Sequence, residues 1–162
     1  MTTQEVELFL ETFQALVMAS LSPEGEPHAS TAPYVRIGND FFILISTVAQ
    51  HGRNLLATEK VSILFAEDES NMVQPFARKR ITLEATAGEI HYDDPVYGQA
   101  IERLKAHFDA DLVTSLLGMG DFHLFRLSPL SGNAVMGFGK AYRLNDKMEV
   151  VTHANISHQA KG

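Results

Sequence analysis

The chain of 162 residues is about one domain long, and with 45% apolar residues it can bury one substantial core but not two large independent ones. Thirteen Lys and Arg against 20 Asp and Glu leave a net charge of −7, which repels phosphate backbones and anionic membranes, so neither nucleic acid nor a membrane is an expected partner. The absence of cysteine excludes disulfides, thiolate zinc sites, iron–sulfur clusters and thiol nucleophiles, leaving His, carboxylate or Met to hold any metal.

The opening stretch, Met1 to Glu7, is acidic where a signal peptide would be basic, and the longest apolar runs, such as Phe41 to Ile45, fall far short of a membrane span. A soluble cytoplasmic protein is expected. Val6, Phe9, Leu10 and Phe13 follow helical spacing, and Thr2-x-x-Glu5 resembles a capping box, which predicts a short amphipathic helix. Ala15 to Leu21, Ala29 to Ile37 and Phe41 to Ser46 then read as three strands. The turns Ser22 to Glu26 and Gly38-Asn39-Asp40 between them make an antiparallel meander. His51 to Thr58 has helical spacing and leads into a β-branched and aromatic run, Val61 to Ala66, followed by a polar loop from Glu67 to Asn71.

From Ile81 the alternation is strict, with Ile81, Leu83, Ala85 and Ala87 on one face and Thr82, Glu84 and Thr86 on the other. Tyr97, Ile101, Leu104 and Phe108 form a helical stripe that Leu112, Leu116 and Leu117 continue, as one long helix or two short ones. Phe122 to Leu127 and Ala134 to Leu144 read as the last two strands, joined by Ser128-Pro129-Leu130-Ser131-Gly132. Periodicity fades beyond Asn145. The expected fold is mainly β with helices (α+β): a six- to seven-stranded antiparallel barrel over residues 1–145, with 146–162 as a C-terminal tail. Closing the sheet removes the edges that so many strands would leave exposed. An open α+β sandwich is the alternative.

Arg78-Lys79-Arg80 is the only dense positive charge in this acidic chain. It reads either as an anion site, with planar Arg donors and a mobile Lys charge, or as a solvated strand end whose charges discourage edge pairing. Arg53, at a helix start where free N–H groups also favour anions, tilts the reading towards a site. Imidazole is the available soft ligand for iron, although no His pair has the spacing of a zinc protease. His28, His91 and His107 read as surface residues and His123 as a satisfied strand imidazole. His153 and His158 lie in the tail, where structure has little need of them. Gly137-Phe138-Gly139 inside an apparent strand signals a bulge or a close approach to the backbone.

Together, Ala32-Pro33-Tyr34-Val35, Ile45 to Leu55, Val61-Ser62-Ile63, Phe76 to Leu83, Asp121 to Leu127 and Gly137 to Tyr142 resemble the HugZ/HutZ haem-utilisation family. This is a branch of the split β-barrels related to pyridoxamine 5′-phosphate oxidase, and the resemblance runs over most of the chain. It implies a homodimer with ligand sites at the subunit interface and haem held by a histidine near the C-terminus. His158 matches that position, with His153 as a rival, because Ser157-His158-Gln159 departs from the usual Gly-His-basic pattern. It also implies a bond across the dimer between His51 and Asp121.

Relatives that act as oxidases bind FMN in the same cleft, its phosphate on the strand matching Arg78 to Arg80. The implied function is haem binding with oxidative breakdown and iron release, using electrons from an external donor. The alternatives are an FMN-dependent oxidoreductase and a non-catalytic haem carrier or store.

Overall fold

The structure is a computed structural model that describes residues 1–153. Helix α1 (Thr3–Leu10) starts with the expected capping box: Glu5 N–H donates to Thr2 Oγ1 at 3.2 Å, and Thr2 N–H to the Glu5 carboxylate at 2.6 Å. Strands β1 (Ala15–Leu21), β2 (Pro27–Pro33), β3 (Val35–Ile37) and β4 (Asp40–Ser46) follow, then helix α2 (Gln50–Ala57), strand β5 (Lys60–Ala66) and strand β6 (Arg80–Ile90). Two helices, α3 (Pro95–His107) and α4 (Ala110–Gly118), come next, separated because Asp109 caps α4 through the N–H of Leu112. Strands β7 (Phe122–Val135), β8 (Ala141–Leu144) and β9 (Val150–His153) complete the described chain.

The hydrogen-bonded order is β2-β1-β5-β6-β7-β4-β3, antiparallel throughout, with β8 and β9 branching from β7. This is the expected antiparallel split barrel with helices. The meander is corrected: the run Ala29 to Ile37 is two strands, β2 paired with β1 and β3 with β4, at opposite ends of the path. The chain turns the corner at Tyr34. Its hydroxyl donates to the carbonyls of Leu10 (3.2 Å) and Phe13 (3.1 Å), fastening the corner to the end of α1. Burial pushes the Tyr34 hydroxyl pKa up to about 12, with the Arg36 charge opposing, so it stays a donor at any physiological pH.

Both faces of β4 and β7 are covered, which explains the unbroken apolar run in β4. Phe41, Ile43 and Ile45 join Phe65, Leu83 and Phe125 inside the barrel, while Phe42 and Leu124 pack outside against Ile101 and Leu104 of α3 and Val113 of α4. All four apolar residues of the alternation in β6 are buried. The loop expected at Ser128 to Gly132 is also corrected. β7 runs straight through it, with Glu84 opposite Ser131 but Ala85 opposite Pro129, so Leu130 is the extra residue of a bulge. Pro129 adjoins the bulge at a stretch of β7 that neither β4, whose pairing stops at Leu127, nor β8, whose pairing starts at Gly132, covers on the other side.

The glycines at 137 and 139 lie in a turn, not a strand. Their φ angles are 144° and 68°, and Met136 N–H donates to Lys140 O at 2.9 Å across the turn. Beyond Asn145 the chain still pairs: β9 lies on β8, and Met148 is fully buried in the barrel core.

Candidate functional site

The acidic loop after β5 braces the basic triplet. Arg78 Nε donates to Glu67 O at 2.8 Å, its NH1 lies 3.8 Å from the Glu69 carboxylate, and the Lys79 amide donates to Glu67 Oε1 at 3.2 Å. Arg80 turns back, its NH1 donating to Arg78 O at 2.8 Å. Asp68 stays ionised beside them, its carboxyl held below the usual range by hydrogen bonds from Ser70, with Arg78 contributing attraction. These bonds set the direction of the cluster, and Lys79, exposed, enters two clefts.

One cleft, of about 590 Å³, is lined by Phe9, Phe13, Arg78 and Lys79 together with the carboxylates Glu67 and Asp68. The second, of about 450 Å³, has Phe9, Lys79, Met136, Lys140 and Tyr142 among its lining residues. The two share Phe9 and Lys79, and Phe9 packs edge-on against Phe13 with ring centres 5.1 Å apart. The result is Arg78, Lys79 and Lys140 beside the aromatic rings of Phe9 and Phe13, with Glu67 and Asp68 offsetting part of that charge in the first cleft. Lys140 and Tyr142 had no signal as site residues in the sequence, because only the turn at Gly137 and Gly139 folds them back towards Lys79.

Arg53 does not join this cluster. Its guanidinium bonds Val48 O and, at 2.8 Å, Gln50 Oε1, which engages it with the first turn of its own helix, and it lines neither cleft. Its neighbour Gly52 is pressed onto the end of β4: a Cβ there would sit 2.0 Å from Ser46 O. That contact sets where α2 presents His51, whose Nδ1 lies 3.0 Å from Ser30 Oγ on β2.

Burial, reinforced by repulsion from His28, holds the His51 pKa below its usual 6.5. A depressed folded-state value means that the neutral ring favours the fold. The stability it contributes is present above pH 6.5 and is lost as the pH falls below it. Replacing His51 with Gln is therefore expected to flatten the fall in urea midpoint between pH 7 and pH 5, and an unchanged slope would refute this.

Asp121, just ahead of β7, accepts a 2.6 Å hydrogen bond from Ser46 Oγ through one carboxylate oxygen. Within this single chain His51 and Asp121 bond to these serines and not to each other. His123 contacts Glu89, the satisfied strand imidazole expected of it. His153 closes β9, its ring edge-on to Tyr142 at 5.0 Å and its Nε2 donating to Gly139 O at 2.8 Å. His158 lies outside the described residues. Among the described residues no group of three or more imidazoles and carboxylates is placed to hold a metal ion, and no helix is long and apolar enough to cross a membrane.

Residues 2–136 match the family model for pyridoxamine 5′-phosphate oxidase. The chain is 36% identical over 156 residues to the haem oxygenase HutZ of Vibrio cholerae serotype O1, covering 96% of this chain and 88% of the relative. Among solved structures it resembles HutZ of Vibrio cholerae, described there as a haem storage protein. The TM-score is 0.72 at 36% identity, covering 78% of this chain and 88% of that one. It also resembles ChuZ of Campylobacter jejuni, with a TM-score of 0.79 at 29% identity, covering 93% of this chain and 61% of the other. By fold, length and sequence, the chain belongs to the HugZ/HutZ family within the pyridoxamine 5′-phosphate oxidase-like split β-barrels.

Proposed function

We propose that this protein binds haem and opens it oxidatively to release iron, as a homodimer. The observation that carries the reading is the likeness to a haem oxygenase over nearly the whole chain, joined to two adjoining clefts in which Arg78, Lys79 and Lys140 stand beside aromatic rings. The residues present fit such a guest. Arg78 and Lys79 offer charge to its acid groups, and Phe9, Phe13 and Met136 offer apolar surface to a flat ring.

When bound, haem supplies the oxygen and electron chemistry, with electrons from an external donor. The chain binds and orients it. His158 offers a neutral imidazole to the iron, and β9 ends at His153 beside the second cleft. His158 follows His153 by five positions, a tether of at most ~18 Å. His153 is the weaker candidate, because its Nε2 hydrogen is engaged by the Gly139 carbonyl.

The homodimer reading rests on the outward face of β2, β1 and β5. Ala15, Val17, Ala19, Ala29 and Thr31 are exposed there, all small and uncharged, with Val17 40% exposed between Thr31 and Leu64. The bond between His51 and Asp121 of opposite subunits that the family resemblance implies belongs to this reading. Val17→Glu sets a carboxylate on that face. It is expected to weaken the dimer at least ~100-fold in sedimentation, given the cost of burying an unpaired charge. An unchanged sedimentation coefficient at micromolar concentration would place the interface elsewhere.

The function is tested by titrating hemin and then adding ascorbate in air with an iron chelator present. Loss of the Soret band with stoichiometric iron capture is the expected result. A Soret band that survives the reductant would make the protein a haem store, and no Soret shift at all would overturn haem binding. FMN is the second reading, favoured by the family model over residues 2–136. In that case the purified protein is yellow, and replacing Arg78 and Lys79 with Ala releases the flavin.

A further inference from the structure

We infer that Lys140 and Tyr142, carried on the glycine turn between β7 and β8, complete with Lys79 a clamp for the acidic group of the bound ligand. The inference rests on the ligand-cleft reading above and extends it to residues outside the basic triplet.

The geometry of the turn carries the argument. Met136 N–H donates to Lys140 O at 2.9 Å and Lys140 N–H to Gly137 O at 3.1 Å, closing a tight loop. Gly137 and Gly139 hold φ angles of 144° and 68°, conformations that side chains with a Cβ rarely adopt. A Cβ at Gly137 would meet Lys140 Cδ at 3.6 Å, so the lysine stem lies back over the turn. That orientation makes Lys140 line the same 450 Å³ cleft as Lys79 and Tyr142. Two ammonium groups and a phenol thus line one cleft, from the residue just ahead of β6, from the turn and from β8.

Phe9 and Met136 give the same cleft apolar lining. One carboxylate, Glu5, also lines it, but its Oε2 accepts the Thr2 amide at 2.6 Å in the cap of α1. The cleft therefore combines cationic and apolar lining, which suits a carboxylate or phosphate attached to an aromatic ring system. Tyr142 also packs against His153, so the clamp adjoins the strand that leads towards His158.

The shared chemistry is an anionic oxygen group on a planar body. Two sources, a porphyrin propionate and a flavin phosphate, are separated by paired probes. Hemin and its dimethyl ester form one arm, and FMN and riboflavin the other, titrated into wild type, Lys140→Gln, Lys140→Arg and Tyr142→Phe. Lys140→Gln is expected to weaken the acid-bearing probe about fivefold while leaving the esterified or unphosphorylated probe unchanged. Lys140→Arg should restore most of that loss. The Soret position should not move, because the iron ligand lies elsewhere.

Tyr142→Phe keeps the ring against His153 and should cost the acid probe alone about twofold. Equal weakening of both probes, or of neither, by Lys140→Gln would overturn the clamp. If the porphyrin arm is silent but FMN outbinds riboflavin in a Lys140-dependent way, the clamp stands and the haem reading fails. Binding of neither acid probe by wild type overturns both.

Discussion

Gly52→Ala is expected to destabilise the fold by about 3 kcal/mol, lowering the melting temperature by roughly 6–12 °C. Local propensity predicts the opposite sign, since Ala is favoured over Gly inside a helix by about 1 kcal/mol. The steric term decides, because the added Cβ would stand 2.0 Å from Ser46 O, 2.7 Å from Ser46 C and 2.8 Å from Thr47 Cα. These are backbone atoms at the end of β4 that no rotamer change can clear. Helix α2 must lift off the barrel end, taking His51 away from Ser30. Thermal and urea denaturation of the variant check this, and a melting temperature within 2 °C of wild type or higher would refute the tight seating of α2.

The second large effect concerns haem itself. His158→Ala is expected to remove the hemin Soret shift and weaken hemin binding at least ~100-fold, the equivalent of about 2.7 kcal/mol. Added imidazole should recover the wild-type spectrum in that variant, which separates loss of the ligand from loss of the fold. His153→Ala should leave the Soret position where it was, since that ring's Nε2 is held by the Gly139 carbonyl at 2.8 Å. Spectral titration of both variants decides the matter. A His158→Ala protein with the wild-type Soret band would remove the assignment, and a collapse in His153→Ala would transfer it there.

Features written in neighbouring residues were legible in the sequence. The capping box at Thr2 and Glu5 and the alternation from Ile81 to Ala87 are set by contacts within one turn or one ladder. What escaped was decided by partners distant in the chain. Nothing between Ala29 and Ile37 signals that the run must change sheet neighbours at Tyr34, because the cause is the pair of carbonyls at Leu10 and Phe13. Ser128 to Gly132 has turn composition, yet β6 supplies a partner on one side for every residue except the bulged Leu130. Gly132 is required there because a Cβ would come within 2.7 Å of the backbone oxygen of Thr82, as well as 2.6 Å from Leu83 Cδ2, a packing demand that looks like a loop signal.

The same division holds at the site. Arg78 to Arg80 was visible as a local excess of charge, and the acidic loop that anchors Arg78 follows from residues nearby. Lys140 and Tyr142 were not visible, since their nearness to Lys79 exists only after β6, β7 and β8 pair. Arg53 shows the reverse case. Its position at a helix start follows from the sequence, but Val48 O and Gln50 Oε1 there accept from its guanidinium.

The sheet order also governs how the polypeptide meets the cell before it is finished. β4 is synthesised by Ser46, yet apart from the three-residue β3 its hydrogen-bonding neighbour is β7, which begins only at Phe122. A nascent chain must therefore carry Phe41, Ile43 and Ile45 through most of translation without the strand that shelters them. Such late, long-range closure is slow and invites self-association. The demand on chaperones falls on the ribosome-bound fragment, and yield on overproduction should depend on elongation rate more than on the stability of the mature barrel.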